Sequence, residues 1–269
     1  MIDKKLLKMR FSNNAKTYDQ YANIQKKMAE ELLSFCNLNV LVHCKINRIL
    51  DIGCGTGYLT KLLSTLFPAA YITAIDLASG MIEIAKQQCI ESSKIEYICG
   101  DIEEIELNDT YDLIISNATF QWFNQLPQTL HKLHELLAEN GILCFSTFGT
   151  QTFTELNQAY TKAKEQLNLV SEASPSQAFY SFTELNQLCL AEAREIDIKE
   201  SLEYEYFDCT KDFFRSVKKV GANNSNVQGR CQSPMLISEV INIYDSDYRE
   251  NEKVRATYHC LYLKLVKQQ

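Results

Sequence analysis

The sequence predicts an α/β fold: a seven-stranded, mostly parallel sheet with helices on both faces and a helical cap. Three observations carry this. Short apolar runs alternate with helically spaced segments through the first half of the chain, the first run ends in the glycine-rich loop "DIGCGTG", and acidic residues close or follow the next two runs. Such alternation gives parallel strands buried on both faces.

The runs "INRILDI" (46–52), "AYITAID" (70–76), "KIEYIC" (94–99), "YDLIISN" (111–117) and "GILCFSTF" (141–148) are short, rich in isoleucine and bounded by Gly, Asp or Asn, as strands are. Between them, "YLTKLLSTLF", "GMIEIAKQQC" and "LPQTLHKLHELLAE" carry apolar residues at helical spacing. Beyond residue 150 the pattern changes. "TFTELNQ" and "SFTELNQ" recur near 152 and 181; Thr152 with Glu155, and Ser181 with Glu184, each match the S/T-x-x-E capping box. The repeat therefore marks two helix starts, one pair being too few for a solenoid. "REIDIKESLEYEYF" (194–207) reads as a strand or hairpin arm, a helix follows from about 210, and "VRATYHCLYLKLVK" (254–267) alternates as a final strand. One domain is expected over 1–269, with an N-terminal helical lid (1–40), a cofactor-binding core (45–150), helical cap insertions (151–250) and the last strand (252–267).

The 269 residues, 46% hydrophobic, suffice for the core of one large domain. A formal charge of −7 argues against a general nucleic-acid binder. No stretch reads as a signal peptide or a membrane span. Ten cysteines, none in C-x-x-C spacing, sit mostly in apolar segments and read as reduced thiols, so a cytoplasmic location is expected. His131 and His134 share a helix face without a third ligand in a recognisable frame, so no metal is expected.

A strand ending in glycines puts backbone N–H groups and a helix N-terminus at the mouth of the sheet. A dinucleotide fingerprint reads G-x-G-x-x-G; Gly53, Gly55 and Gly57 give G-x-G-x-G, a tighter loop that need not cradle a pyrophosphate. Asp76 ends the second strand, where a carboxylate can accept both ribose hydroxyls. Asp101 follows the third, placed to accept an amine proton from adenine while Ile102 packs on the ring. Either acid alone reads as a solvated strand end or, for Asp101, a helix N-cap. With the loop, at consecutive strand ends, they indicate a nucleoside site.

"ILDIGCGTG", "AIDLASGMIEIAK", "GDIEE" and "YDLIISNATFQWF" together resemble the motifs of class I S-adenosylmethionine-dependent methyltransferases, over roughly 45–148. The resemblance implies a Rossmann-like fold, S-adenosyl-L-methionine as cofactor, and cofactor contacts from Asp51, Gly53, Gly55, Gly57, Asp76, Leu77, Met81, Asp101, Ile102, Asn117 and Phe120. "RFSNNAKTYDQYANIQKKMAEELL", "SNATFQWFNQ", "CFSTFGTQTFTELN", "KKVGAN" and "TYHCLYLKL" extend the similarity over nearly the whole chain to the malonyl-acyl carrier protein O-methyltransferases of biotin synthesis. That implies methyl esterification of the free carboxylate of a malonyl thioester held on acyl carrier protein.

A malonyl carboxylate is already ionised at neutral pH, so no general base is required. Tyr18 and Tyr21, then Phe120 and Trp122, are the candidates to face the sulfonium, where cation–π attraction is of order 1 kcal/mol. Arg10 and Arg230 are candidates to hold the carboxylate. Lys211, Arg215, Lys218 and Lys219 share one side of a helix and offer a basic face to an acidic carrier, with Phe214 and Val217 as anchors on the opposite side. Two alternatives share the core motifs. A related methyltransferase would act on a free carboxylic acid or a quinone carbon and differ only in acceptor; a non-catalytic cofactor-binding regulator is disfavoured by the intact glycines and Asp76.

Overall fold

The computed structural model describes residues 1–38, 46–89, 94–170, 174–193, 196–222 and 233–267. Helices α1 (Lys4–Tyr18) and α2 (Asn23–Phe35) precede the sheet. Then β1 (Arg48–Ile52), α3 (Tyr58–Leu66), β2 (Tyr71–Asp76), α4 (Ser79–Gln88), β3 (Ile95–Cys99), β4 (Tyr111–Ser116), α5 (Leu126–Glu135) and β5 (Leu137–Phe148) make the alternating half. The second half holds α6 (Thr154–Gln166), α7 (Phe182–Leu190), β6 (Ile196–Phe207), α8 (Thr210–Lys219), α9 (Pro234–Asp247), the two-residue β7 (Arg249–Glu250) and β8 (Lys253–Val266).

The sheet runs β3-β2-β1-β4-β5-β8-β6, and β7 adds a short pairing to β8. The first five strands of that order are parallel; β8 is antiparallel to both β5 and β6. The seven expected strands are all present, and β7 is an eighth. Strand order reverses between β1 and β4, which opens a crevice beyond their C-terminal ends, the usual ligand position in open α/β sheets. Successive side chains of β1 and β4 enter opposite layers: Ile49, Leu113 and Ile115 join the cluster with Leu32, Leu63 and Tyr244, while Leu50 and Ile114 join Leu130, Phe145 and Leu185. The period of two thus builds a core on each face.

The expected lid divides in two. α2 buries Ile24, Met28, Ala29, Leu32 and Leu33 in the core, so only α1 is left to cover the crevice. The strand expected over 194–207 is β6, which runs through the cap segment and pairs with β8 along its whole length. Ser181 and Glu184 form the capping box foreseen for α7. Thr152 and Glu155 do not. The cap residue of α6 is Phe153 in the left-handed region (φ 59°), with no side-chain capping bond. Thr152 instead accepts the His259 N–H (3.1 Å), and the buried Glu155 carboxylate accepts Arg255 Nε (2.9 Å) and the Thr257 N–H (3.1 Å). Both side chains turn inward and tie the helix start to β8.

Candidate active site

The glycine loop leaves β1 and turns into α3. Gly53 has φ 70°, and a Cβ there would lie 2.1 Å from Thr119 Oγ1, so both conformation and space require glycine. Gly57 caps α3 at φ 91°, with Ala85 of α4 so close that a Cβ would lie 3.1 Å from its Cα. Asp76, at the end of β2, fastens the loop: one carboxylate oxygen accepts the Gly55 N–H (2.9 Å) and the other the Ala78 N–H (2.8 Å). Burial outweighs these bonds and pushes the Asp76 carboxyl up to about 6.

A cleft of about 90 Å³ lies over this loop. Of the residues named above as expected cofactor contacts, Gly53, Gly55, Asp76, Leu77, Met81, Asp101, Ile102 and Asn117 line it. Three expected cofactor contacts do not. Phe120 points into the core, stacked on Phe145 at 3.9 Å between ring centroids, while Trp122, two residues on in the same 3-10 turn, reaches the cleft. Asp51 is sealed beneath the loop, its Oδ2 accepting the Thr60 hydroxyl (2.6 Å), and burial pushes it up to about 7. Gly57 faces α4. Asn117 is fixed by two bonds, donating to the Gln25 carbonyl (2.9 Å) and accepting from Ser146 Oγ (2.7 Å).

Helix α1 crosses the cleft and is fastened at each end. Lys4 lines the cleft; its ammonium lies 2.9 Å from Asp101 and 2.7 Å from Glu103. The Ile2 N–H donates to Asn124, whose amide donates back to the Ile2 carbonyl. At the other end Asp19 accepts Thr56 Oγ1 and Gln88 Nε2, both at 2.7 Å. In the middle, α1 passes so near α4 that a Cβ on Gly80 would lie 2.6 Å from the Ser12 carbonyl oxygen. Lys4 and Asp19 bear no motif and are visible only once the helix is placed.

Beyond α1 opens a second, larger cavity of about 290 Å³. Tyr21 lines it, and its walls are mainly aromatic: Phe148, Phe153, Phe179, Phe213, Phe214 and Tyr258. Gln25, Gln121, Thr152, Ser176, Gln177 and Ser216 are its polar members, and no described lining residue is charged. Arg10 lines neither cavity; its backbone packs near Gly221. Arg230 lies outside the described residues. The two cavities share Phe11, Tyr18, Ala118 and Trp122, with Phe11 and Trp122 edge to face at 5.8 Å. Burial and the neighbouring Asp76 and Asp19 hold the Tyr18 phenol far above its usual range, so it stays neutral.

α8 forms part of the wall of this cavity. Phe213 is buried and Phe214 and Val217 line the cavity rather than anchoring elsewhere, while Lys211, Arg215 and Lys218 are exposed and Lys219 is half-buried. Arg215 pairs with Asp212 (2.5 Å); the three lysines make no ion pair among the described residues. His131 pairs with Glu192 at 3.1 Å. Among the described residues, no group of three or more His, Cys, Asp or Glu could hold a metal, no disulfide occurs, and no helix is long and apolar enough to cross a membrane.

The sequence profile of the family described as methyltransferase domain matches residues 50–145, from β1 into β5. A malonyl-acyl-carrier protein O-methyltransferase of Priestia megaterium is 50% identical over 99% of this chain and 99% of its own. One of Acetivibrio thermocellus is 51% identical over 98% of this chain and 94% of its own. The chain belongs to the malonyl-acyl-carrier protein O-methyltransferase family. Among solved structures, the YcgJ protein of Bacillus subtilis shares the fold at TM-score 0.61 and 14% identity, over 88% of this chain and 98% of that one. The plantazolicin methyltransferase BpumL, in complex with a pentazolic desmethylPZN analog and SAH, does so at 0.54 and 16%, over 99% and 98%. The general methyltransferase match ends in β5, so most walls of the larger cavity lie in the part that members of the malonyl-acyl-carrier protein O-methyltransferase family share beyond the common domain.

Proposed function

We propose that the protein transfers the methyl group of S-adenosylmethionine to the free carboxylate of a malonyl thioester on acyl carrier protein, giving the methyl ester. The observation that carries this reading is the junction of the two cavities at Phe11, Tyr18, Ala118 and Trp122 in a chain of this family. One cavity has the acidic strand ends and open glycine loop that suit a nucleoside with an amino-acid arm; the other is apolar and opens beside a basic helix.

The residues of the smaller cleft fit the cofactor. A Cβ position on Gly55 meets nothing within 4 Å, which leaves the loop open to a ligand, and Asp76 and Asp101 present carboxylates at adjoining strand ends. Asp76 would accept ribose hydroxyls, Ile102 and Leu77 would pack on the base, and Asn117 and the loop would hold the amino-acid arm. When bound, S-adenosylmethionine supplies an electrophilic methyl group. The neutral Tyr18 phenol excludes water at the junction without competing as a nucleophile or base. The rings of Tyr18 and Trp122 face the shared space, where attraction of a cation by each is about 1 kcal/mol. Rate enhancement then rests on holding an ionised carboxylate at attack distance and removing its water, which an aromatic cavity does.

Lys211, Lys218 and Lys219, with Arg215, offer the acidic carrier a landing face on the outer side of the helix whose inner side lines the acceptor cavity. Intact mass spectrometry of malonyl-loaded carrier protein with the enzyme and S-adenosylmethionine tests the reading. One added methyl group, formed far faster than on free malonate, is expected. Absence of methylation on the carrier with the cofactor still bound would discard the acceptor.

A further inference from the structure

On the wall of the aromatic acceptor cavity, Gln177 holds a buried side-chain oxygen that is left unmatched among the described residues. Gln177, in the segment between α6 and α7, is 7% exposed and belongs to the cavity wall. Its amide oxygen has no hydrogen-bond donor. Its amide nitrogen makes a single long contact, 3.4 Å, to the Gln121 carbonyl. Two polar neighbours are already paired. Gln121 donates to the Ala118 carbonyl (2.6 Å) and accepts from Thr147 (2.9 Å), and Ser176 donates to Asn157 (3.0 Å). Gln177 is thus a carboxamide held in an apolar wall with unused hydrogen-bonding capacity, and a group in that state is costly until a ligand satisfies it.

The chemistry of the unmatched atom narrows the ligand. A carboxamide oxygen needs a donor, and an ionised malonyl group with its thioester carbonyl has none. The arm that carries an acyl group on a carrier protein does: a secondary amide follows the sulfur after two methylene groups. A secondary amide brings both an N–H and a C=O, and a primary carboxamide can answer each. We propose that Gln177 is a specificity residue that pairs with this amide and so selects arm-borne malonyl groups over free acids. The proposal rests on the acceptor assigned above. It makes Gln177 a reader of the carrier's prosthetic arm, separate from docking on α8 and from any group that holds the carboxylate.

Two small substrates isolate the effect. In the malonyl thioester of N-acetylcysteamine the amide is present; in that of 2-acetoxyethanethiol an oxygen replaces only the N–H. The wild-type enzyme is expected to favour the first by about tenfold in kcat/KM, since a site built around a polar group rejects the analogue that leaves it unpaired. Gln177→Leu should lower the rate on the amide thioester alone and bring the ratio to within about twofold of unity. Gln177→Met, closer in shape, serves as the second variant, and unchanged calorimetric binding of S-adenosylhomocysteine shows that each variant is folded. Equal use of the two thioesters by the wild type overturns the proposal, as does a Gln177 variant that slows both equally. Methylation of neither by the wild type overturns the acceptor assignment instead, and this proposal with it.

Discussion

Asp76 serves the glycine loop and the proposed cofactor with one carboxylate. Asp76→Ala should abolish binding of S-adenosylhomocysteine in calorimetry while the circular dichroism spectrum is retained. Because burial raises this carboxyl to about 6, its charge is lost as pH falls through that value, so wild-type affinity for S-adenosylhomocysteine should drop below about pH 6. Asp51, raised to about 7, adds a stability effect of known sign. Between the unfolded value near 4 and the folded value near 7 the folded state binds the extra proton, so stability falls as pH rises through that window. The melting temperature of the wild type should therefore fall relative to that of Asp51→Asn between about pH 4 and 7. The glycines, Asp76 and Asp101 were legible in the sequence because they punctuate the ends of apolar runs. Phe120 and Trp122 were not separable, since both lie in "TFQWF" and only the 3-10 turn decides which ring meets the cleft. Gln177 and Lys4 gave no signal, because each acquires its setting from elements far away in the chain.

Helices were legible from their apolar spacing, but their duties were not. α1 and α2 are consecutive and similar in length, yet α2 is core and α1 a strap, because only α2 carries a full apolar stripe. Replacing Lys4 by Met should free the N-terminal end of α1 from Asp101 and Glu103. A fivefold or greater increase in the release rate of S-adenosylhomocysteine, followed by stopped flow, is expected, with little change in melting temperature. The start of α6 behaves differently. Its Glu155 carboxylate is buried and joins Arg255 and Thr257 of β8, so Glu155→Gln leaves paired groups unsatisfied. A loss of about 2–4 kcal/mol in denaturant unfolding is expected. "TFTELNQ" and "SFTELNQ" are near-identical locally and diverge only in tertiary setting, which is why one makes a capping box and the other a tether.

Across the whole molecule, charge is unevenly spread: a chain of net charge −7 keeps three lysines unpaired, among the described residues, on one side of α8. Reversing two of them, Lys211→Glu with Lys218→Glu, should raise KM for malonyl-carrier protein about tenfold and leave kcat/KM for the small malonyl thioester within about twofold. The wild-type KM for the carrier should also rise with salt more steeply than that of the variant. The overall architecture was the most legible level of all, since strand–helix alternation leaves few ways to bury parallel strands. The position of β8 was not, because alternation marks a strand without naming its neighbours. That position has a consequence for how the protein is made. β8 lies between β5 and β6, yet it leaves the ribosome after both. Until it arrives, β5 presents a long apolar edge and β6 has no partner, so the nascent sheet stands in two pieces. Closure waits for pairings as remote in sequence as Ile142 with Val266, a slow kind of contact that leaves open edges to be shielded by chaperones in the meantime.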